Sequence, residues 1–282
     1  MRPAGWLALL TVCVQGCDPL VLVGRDQAAD GAPPPEDALR ASAVPDAPAH
    51  DGAGDEGAPS GLVPLAVPWS TGFEGAAGGP WMPGDPSCYV TAGASFNIVT
   101  SPVHSGQHAA AFTVDTAVAS PSQTRCLKEG VLPTAAYYGA WYYVPATATN
   151  ISNWNLLHFQ GANVADGTVA HGLWDVTLAN ASDGTLHAVV YDFLGKSLVQ
   201  TSASVPVGAW FHLEVYLRRA ADGTGEFTLR RDGQVALDLT GLTTDDSLWG
   251  QWFVGNYAMA ISPPSSTVYV DDVTIGLVSS GT

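Results

Sequence analysis

The chain has 282 residues, 46% of them hydrophobic and 13% charged, with 31 Gly and 20 Pro. That much Gly and Pro excludes a helical bundle and points to a turn-rich β protein. Twenty-six acidic residues against ten basic ones give a formal charge of −16, so duplex DNA and anionic bilayer surfaces are repelled, and nucleic acid is not an expected partner.

Arg2 is the only charge before Asp18, and it precedes the apolar run Trp6 to Val14. A basic end followed by about ten apolar residues is a secretory signal, too short to anchor a chain by itself. The run ends in Val14-Gln15-Gly16-Cys17, which resembles a bacterial lipobox, with Gln15 departing from the usual small residue. Cys13 is a poorer candidate because Val12 before it is not small. The resemblance implies residues 1–16 as a lipoprotein signal peptide, lipidation at Cys17, and a bilayer as partner through N-terminal acyl chains, in a bacterial envelope. The alternative is an ordinary signal peptide in which Cys17 is incidental.

Residues 17–68 shift to Ala, Pro, Gly and Asp, with nine acids and two bases. Such a segment buries too little apolar surface to offset its ordering entropy, so it reads as a disordered acidic tether. The apolar patches Leu20 to Val23 and Leu62 to Val67 are local exceptions.

Residues 69–282 read as short alternating runs broken by Gly, Pro, Asp and Asn. Strands are predicted at 95–99, 109–114, 137–144, 154–160, 172–178, 186–193, 210–218, 226–231, 235–239, 252–257 and 267–275. Their number and spacing, without an amphipathic helix between them, predict an all-β, antiparallel two-sheet sandwich. Asp232-Gly233 suits a tight hairpin, and Phe211, Leu213, Val215 and Leu217 alternate onto one buried face. Cys88 and Cys126 are the only cysteines of this region and are expected to pair in an oxidising compartment.

The order of these runs resembles the concanavalin A-like lectin/glucanase jelly roll. The carriers are Trp69 to Glu74, Ser101 to Ala110, Val207 to Val215, Leu229 to Gly233 and Val268 to Ile275. Lectins, hydrolases, polysaccharide lyases and non-catalytic modules share such motifs, so they specify fold better than function. The resemblance further implies a structural calcium at Glu74, Asp271 and Asp272, as hard oxygen ligands where first and last strands neighbour each other. No cofactor is expected for chemistry.

The closely spaced Glu-x-Asp-x-x-Glu of the jelly-roll glucanases is missing, and Glu129, Asp175, Asp192 and Glu214 lie on different predicted strands or loops. In Trp154-Asn155-Leu156-Leu157-His158-Phe159-Gln160, strict alternation puts Trp154, Leu156, His158 and Gln160 on one face. Aromatic rings stack on sugar C–H faces while amides and imidazoles bond hydroxyls. The expected ligand-binding residues are therefore Trp154, His158, Gln160, Tyr143, Trp174 and Tyr191, with a carbohydrate polymer as partner. His158 and Gln160 also resemble, in reversed order, the Gln and His pair of jelly-roll polysaccharide lyases. That resemblance implies β-elimination, with Arg125 neutralising a uronate carboxylate, His158 as base and Tyr257 as proton shuttle. The first expectation is a module that binds carbohydrate without cleaving it. The alternatives are a jelly-roll lyase acting on a uronate polymer, and an adhesive envelope protein with no sugar site. Oligomeric state is not legible.

Overall fold

The computed structural model describes residues 64–162 and 171–281, all within the unit Ser42–Thr282; the expected signal peptide, Cys17 and most of the expected tether lie outside the described residues. The strands in chain order are β1 (Trp69–Thr71), β2 (Cys88–Val90), β3 (Ser95–Val99), β4 (Ala109–Asp115), β5 (Ser122–Gly130), β6 (Ala135–Tyr143), β7 (Thr149–Asn150), β8 (Trp154–Ala162), β9 (His171–Asn180), β10 (Leu186–Asp192), β11 (Ser197–Val205), β12 (Trp210–Arg218), β13 (Gly225–Arg231), β14 (Gln234–Leu242), β15 (Trp249–Ala258), β16 (Ile261–Ser262) and β17 (Ser265–Gly276). No helix occurs among the described residues.

Alternation along these strands gives each sheet one apolar face, and the two apolar faces bury each other. One sheet has eight strands, ordered β14-β13-β12-β6-β17-β4-β3, with β1 added alongside β17. The other has seven, ordered β11-β10-β9-β8-β15-β5-β2; β7 and β16 form a separate pair. Every ladder is antiparallel, and the expected two-sheet sandwich is what the chain forms. Phe211, Leu213, Val215 and Leu217 are all fully buried, as their spacing predicts. Asp232 and Gly233 both take positive φ (50° and 76°), the conformation a two-residue hairpin between β13 and β14 demands.

Aromatic side chains join the layers. Trp174 of β9 stacks on Phe227 of β13 with centroids 4.4 Å apart, and Tyr138 of β6 meets Phe159 of β8 edge-on at 5.0 Å. Asn256 of β15 bridges the sheets: it accepts from Trp154 Nε1 at 3.0 Å and donates to the carbonyls of Phe112 and Ser266. Cys88 and Cys126 form the expected disulfide between directly paired positions of β2 and β5.

The folded region is already under way at Pro64, ahead of the expected boundary at Trp69. Pro64 bridges Val131, Leu65 donates to the Val131 carbonyl at 2.9 Å, and Leu65 and Val67 pack on the core. Within the apolar patch that interrupts the tether composition, Leu65 and Val67 thus belong to the domain's packing.

Candidate functional site

The four central strands of the seven-stranded sheet, β5, β15, β8 and β9, turn a polar face away from the core. Register places its members. His158 lies opposite Phe253 on one side and Asp175 on the other; Arg125 lies opposite Gly255; Tyr257 lies opposite Gln123 and Asn155; and Gln251 lies between Glu129 and Gln160. Gly255 has no tolerance for a side chain, since an added Cβ would come within 2.3 Å of the Thr124 carbonyl.

His158 Nδ1 is hydrogen-bonded to Asp175 Oδ1, with both groups buried. The carboxylate accepts, so Nδ1 carries the proton and the lone pair is directed to Nε2. Arg125 donates to Asn155 Oδ1 at 3.3 Å, and its guanidinium lies over the rings of Tyr257 (4.4 Å) and Phe253 (5.6 Å). Phe253 also packs against the His158 ring at 5.4 Å, which gathers Arg125, His158 and Tyr257 around one aromatic side chain. Tyr89, from β2, donates to Gln123 Oε1 and meets Phe253 edge-on. On the β10 side Phe193 meets His158 edge-on at 5.8 Å, and Tyr191 supports Phe193.

Two features are costly unless a ligand resolves them. Arg125 is only 5% exposed, yet no carboxylate among the described residues forms an ion pair with it. His158 Nε2, Gln160 Oε1 and Tyr257 OH are buried without a hydrogen-bond partner among the described residues, each an unsatisfied group worth about 1–3 kcal/mol. Burial pushes the Tyr257 phenol up to about 12, against the pull of the Arg125 charge, so it holds its proton at neutral pH. Burial likewise raises the Tyr89 phenol while Arg125 opposes the shift.

Of the sequence-predicted residues, Arg125, His158, Gln160, Tyr191 and Tyr257 belong to this face. Trp154 does not: it is fully buried between the sheets on Asn256. Strict alternation fails because β8 carries a register shift between Asn155 and Leu157 against β9, and β15 carries one between Val254 and Tyr257 against β8. The irregularity turns Asn155 to the polar face in place of Trp154. Trp174 is likewise a core residue, stacked on Phe227, because it alternates with Asp175. Tyr143 sits on β6 in the other sheet, beside Trp210 and Tyr269 on its outer side. Sequence reasoning passed over the site roles of Asp175, Asn155, Gln123, Phe253 and Phe193. Asp175 was recoverable, since its place between Trp174 and Val176 sends it to the face opposite the core. Of the other three carboxylates, Glu129 accepts from Gln251 at the margin of this face, while Asp192 accepts from the Gly195 amide and Glu214 from Ser279 and Ser280.

Glu74, Asp271 and Asp272, the residues expected to hold calcium, bond the loop that leads into β4. Glu74 accepts from the amides of Gln107 and His108 and bonds His108 Nδ1; Asp271 accepts from the amides of His104, Ser105 and Asp272; Asp272 bonds His104 Nδ1 and Ser105 Oγ. Among the described residues no three His, Cys, Asp or Glu are grouped to hold a metal.

This chain shares its fold with a polysaccharide lyase. The endo-β-1,4-glucuronan lyase of the fungus Trichoderma reesei matches with a TM-score of 0.56 at 18% identity, over 74% of this chain and 95% of that one. A marine PL-14 alginate lyase from Aplysia kurodai aligns at TM-score 0.49 and 13% identity, over 74% and 98% of the two chains. A cellulose induced protein, Cip1, aligns at TM-score 0.47 and 17% identity, over 76% and 99%. No family model matches the chain, and no curated protein matches it.

Proposed function

We propose that this protein is a polysaccharide lyase that cleaves a uronate-containing polymer by β-elimination. The observation that carries the reading is Arg125, a buried guanidinium that forms no ion pair with a carboxylate among the described residues, grouped with a carboxylate-oriented imidazole and a protonated phenol. A substrate uronate supplies the missing negative charge. Neutralised by Arg125, it makes the C5 proton more acidic and spreads the charge that develops when that proton leaves. His158 Nε2 takes the C5 proton; the freed electron pair forms the C4=C5 double bond as the C4–O4 bond breaks; and the Tyr257 hydroxyl gives its proton to O4. Return of the proton from His158 to Tyr257 after product release closes the cycle. The glucuronan lyase that shares the fold is named for chemistry of this class, which supports the reading.

Binding without cleavage, the first expectation from sequence, gives way to this reading. A sugar-stacking module has no need of a buried cation that lacks an ion-pair partner among the described residues, and Trp154, its principal stacking residue, is in the core. The test is formation of unsaturated uronate, followed by its ultraviolet absorbance, across a panel of uronides. His158→Ala is expected to lower turnover by at least about 100-fold with polymer binding nearly unchanged. A wild-type protein that binds uronides and produces no unsaturated ends overturns the proposal.

Membrane attachment belongs to the same proposal, supported by Val14-Gln15-Gly16-Cys17. Cys17→Ala is expected to move the protein from the membrane to the soluble fraction, and an unmodified Cys17 in the mature wild type refutes the anchor.

A further inference from the structure

The cations are distributed in a way that narrows the substrate. Seven Lys and Arg residues lie in the described part of the chain, and only Arg125 is on the site face. Arg218, Arg219 and Arg231 are ion-paired to Glu226, Asp245 and Asp232, and Arg230 is on β13 of the other sheet. Lys128, three residues along β5 from Arg125, turns to the opposite side and lies over Trp69 at 4.2 Å. Lys196 is exposed in the β10–β11 turn; the nearer of its strands, β10, is four ladders from β5, or roughly 19 Å at the usual strand spacing. Residues 163–170 contain one Asp and no Lys or Arg.

Around Arg125 the face is amide and phenol: Gln123, Asn155, Gln160, Gln251, Tyr89 and Tyr191. One acid beyond the His158 pair, Glu129, is exposed on the same side of β5 and bonded to Gln251 at 2.9 Å. These groups bond hydroxyls and acetamides well, and they bring no positive charge to a second carboxylate. We infer that the substrate is a polymer in which single uronates alternate with neutral sugars, one uronate on Arg125 and neutral rings against the flanking amides. A homopolyuronate would bring carboxylates against Glu129 and the amides, inside the field of a strongly acidic protein. This inference rests on the lyase reading for the place of the reacting uronate, and it concerns the neighbouring rings.

Binding and cleavage are to be measured separately. Inactive His158→Gln, with Tyr257→Phe alongside as a second inactive variant, is titrated with three probes: an alternating copolymer of glucuronic acid and N-acetylhexosamine, β-1,4-glucuronan, and alginate. The alternating polymer is expected to bind at least about tenfold tighter than either homopolymer. Its affinity is expected to fall by less than about tenfold as NaCl rises from about 50 to about 500 mM, the dependence of one ionic contact. Glu129→Lys is expected to raise affinity for glucuronan several-fold. Equal or tighter binding of a homopolymer, a salt dependence of several contacts, or no binding of the alternating polymer overturns the inference. Failure of the lyase reading shows differently: the wild type then yields no unsaturated product from any of the three, whatever the ranking of affinities.

Discussion

His158 depends on Asp175 for its chemistry. The carboxylate fixes the Nδ1–H tautomer and leaves Nε2 as the base, and both side chains are buried so that water cannot substitute for either. Asp175→Asn keeps the shape and permits the amide to donate to Nδ1, which places the proton on Nε2 and removes the base. Turnover is expected to fall by about 100-fold or more, while KM and the melting temperature change little. A parallel loss of binding would show that Asp175 shapes the pocket instead of orienting the imidazole. Phe193 and Phe253 contribute differently: they wall the imidazole with apolar rings, and so raise the strength of every charge interaction next to it.

The strands differ in how legible they are, for a physical reason. β3 and β12 fall at their predicted bounds because one face is apolar and the other polar, the pattern that period-two reading detects. β5 is missing from the predicted strands, although it runs from Ser122 to Gly130 at the centre of the site. Its residues Gln123, Thr124, Arg125 and Lys128 look like a solvated loop, and three of them are buried because the strand is paired on both edges. A strand whose outward face is a binding surface loses the hydrophobic contrast that marks it. On β8 the failure was opposite: the element was correct, but its irregularity against both neighbours depends on tertiary pairing and exchanged Asn155 for Trp154. β2 is three residues long, at the sheet edge, and has little of its own to hold it. The Cys88–Cys126 bridge ties it to β5 and so holds Tyr89 beside Arg125. Its two cysteines are 38 positions apart, for which loop-closure entropy gives about 3–4 kcal/mol. Cys88→Ala with Cys126→Val is expected to lower the unfolding free energy by about 2–4 kcal/mol in denaturant titrations. A change below about 1 kcal/mol would mean that the β2 contacts hold without it.

Fold and charge together set the response of the domain to alkali. The sandwich buries Tyr138 and Tyr142 between its sheets and Tyr257 on the site face, and burial raises all three phenols above their ordinary value, Tyr257 to about 12. The unfolded chain ionises these groups near pH 10, whereas the folded chain keeps them protonated. Above pH 10 the unfolded state therefore binds fewer protons than the native state, and stability falls as pH rises. Their contribution is fully present below about pH 10 and is progressively lost above it, with Tyr257 alone accounting for on the order of 3 kcal/mol by pH 12. The molecule already carries a formal charge of −16, so each new phenolate adds to self-repulsion in the compact state. Tyrosinate absorbance during a slow alkaline titration is expected to rise first for the exposed phenols and then abruptly, with loss of β-sheet circular dichroism, as the buried ones ionise on unfolding. Tyr142→Phe should move that step to higher pH, because the aromatic packing remains while the group that drives unfolding is gone. A smooth titration of all nine tyrosines near pH 10 with the sheet signal intact would show that these phenols reach water in the folded state.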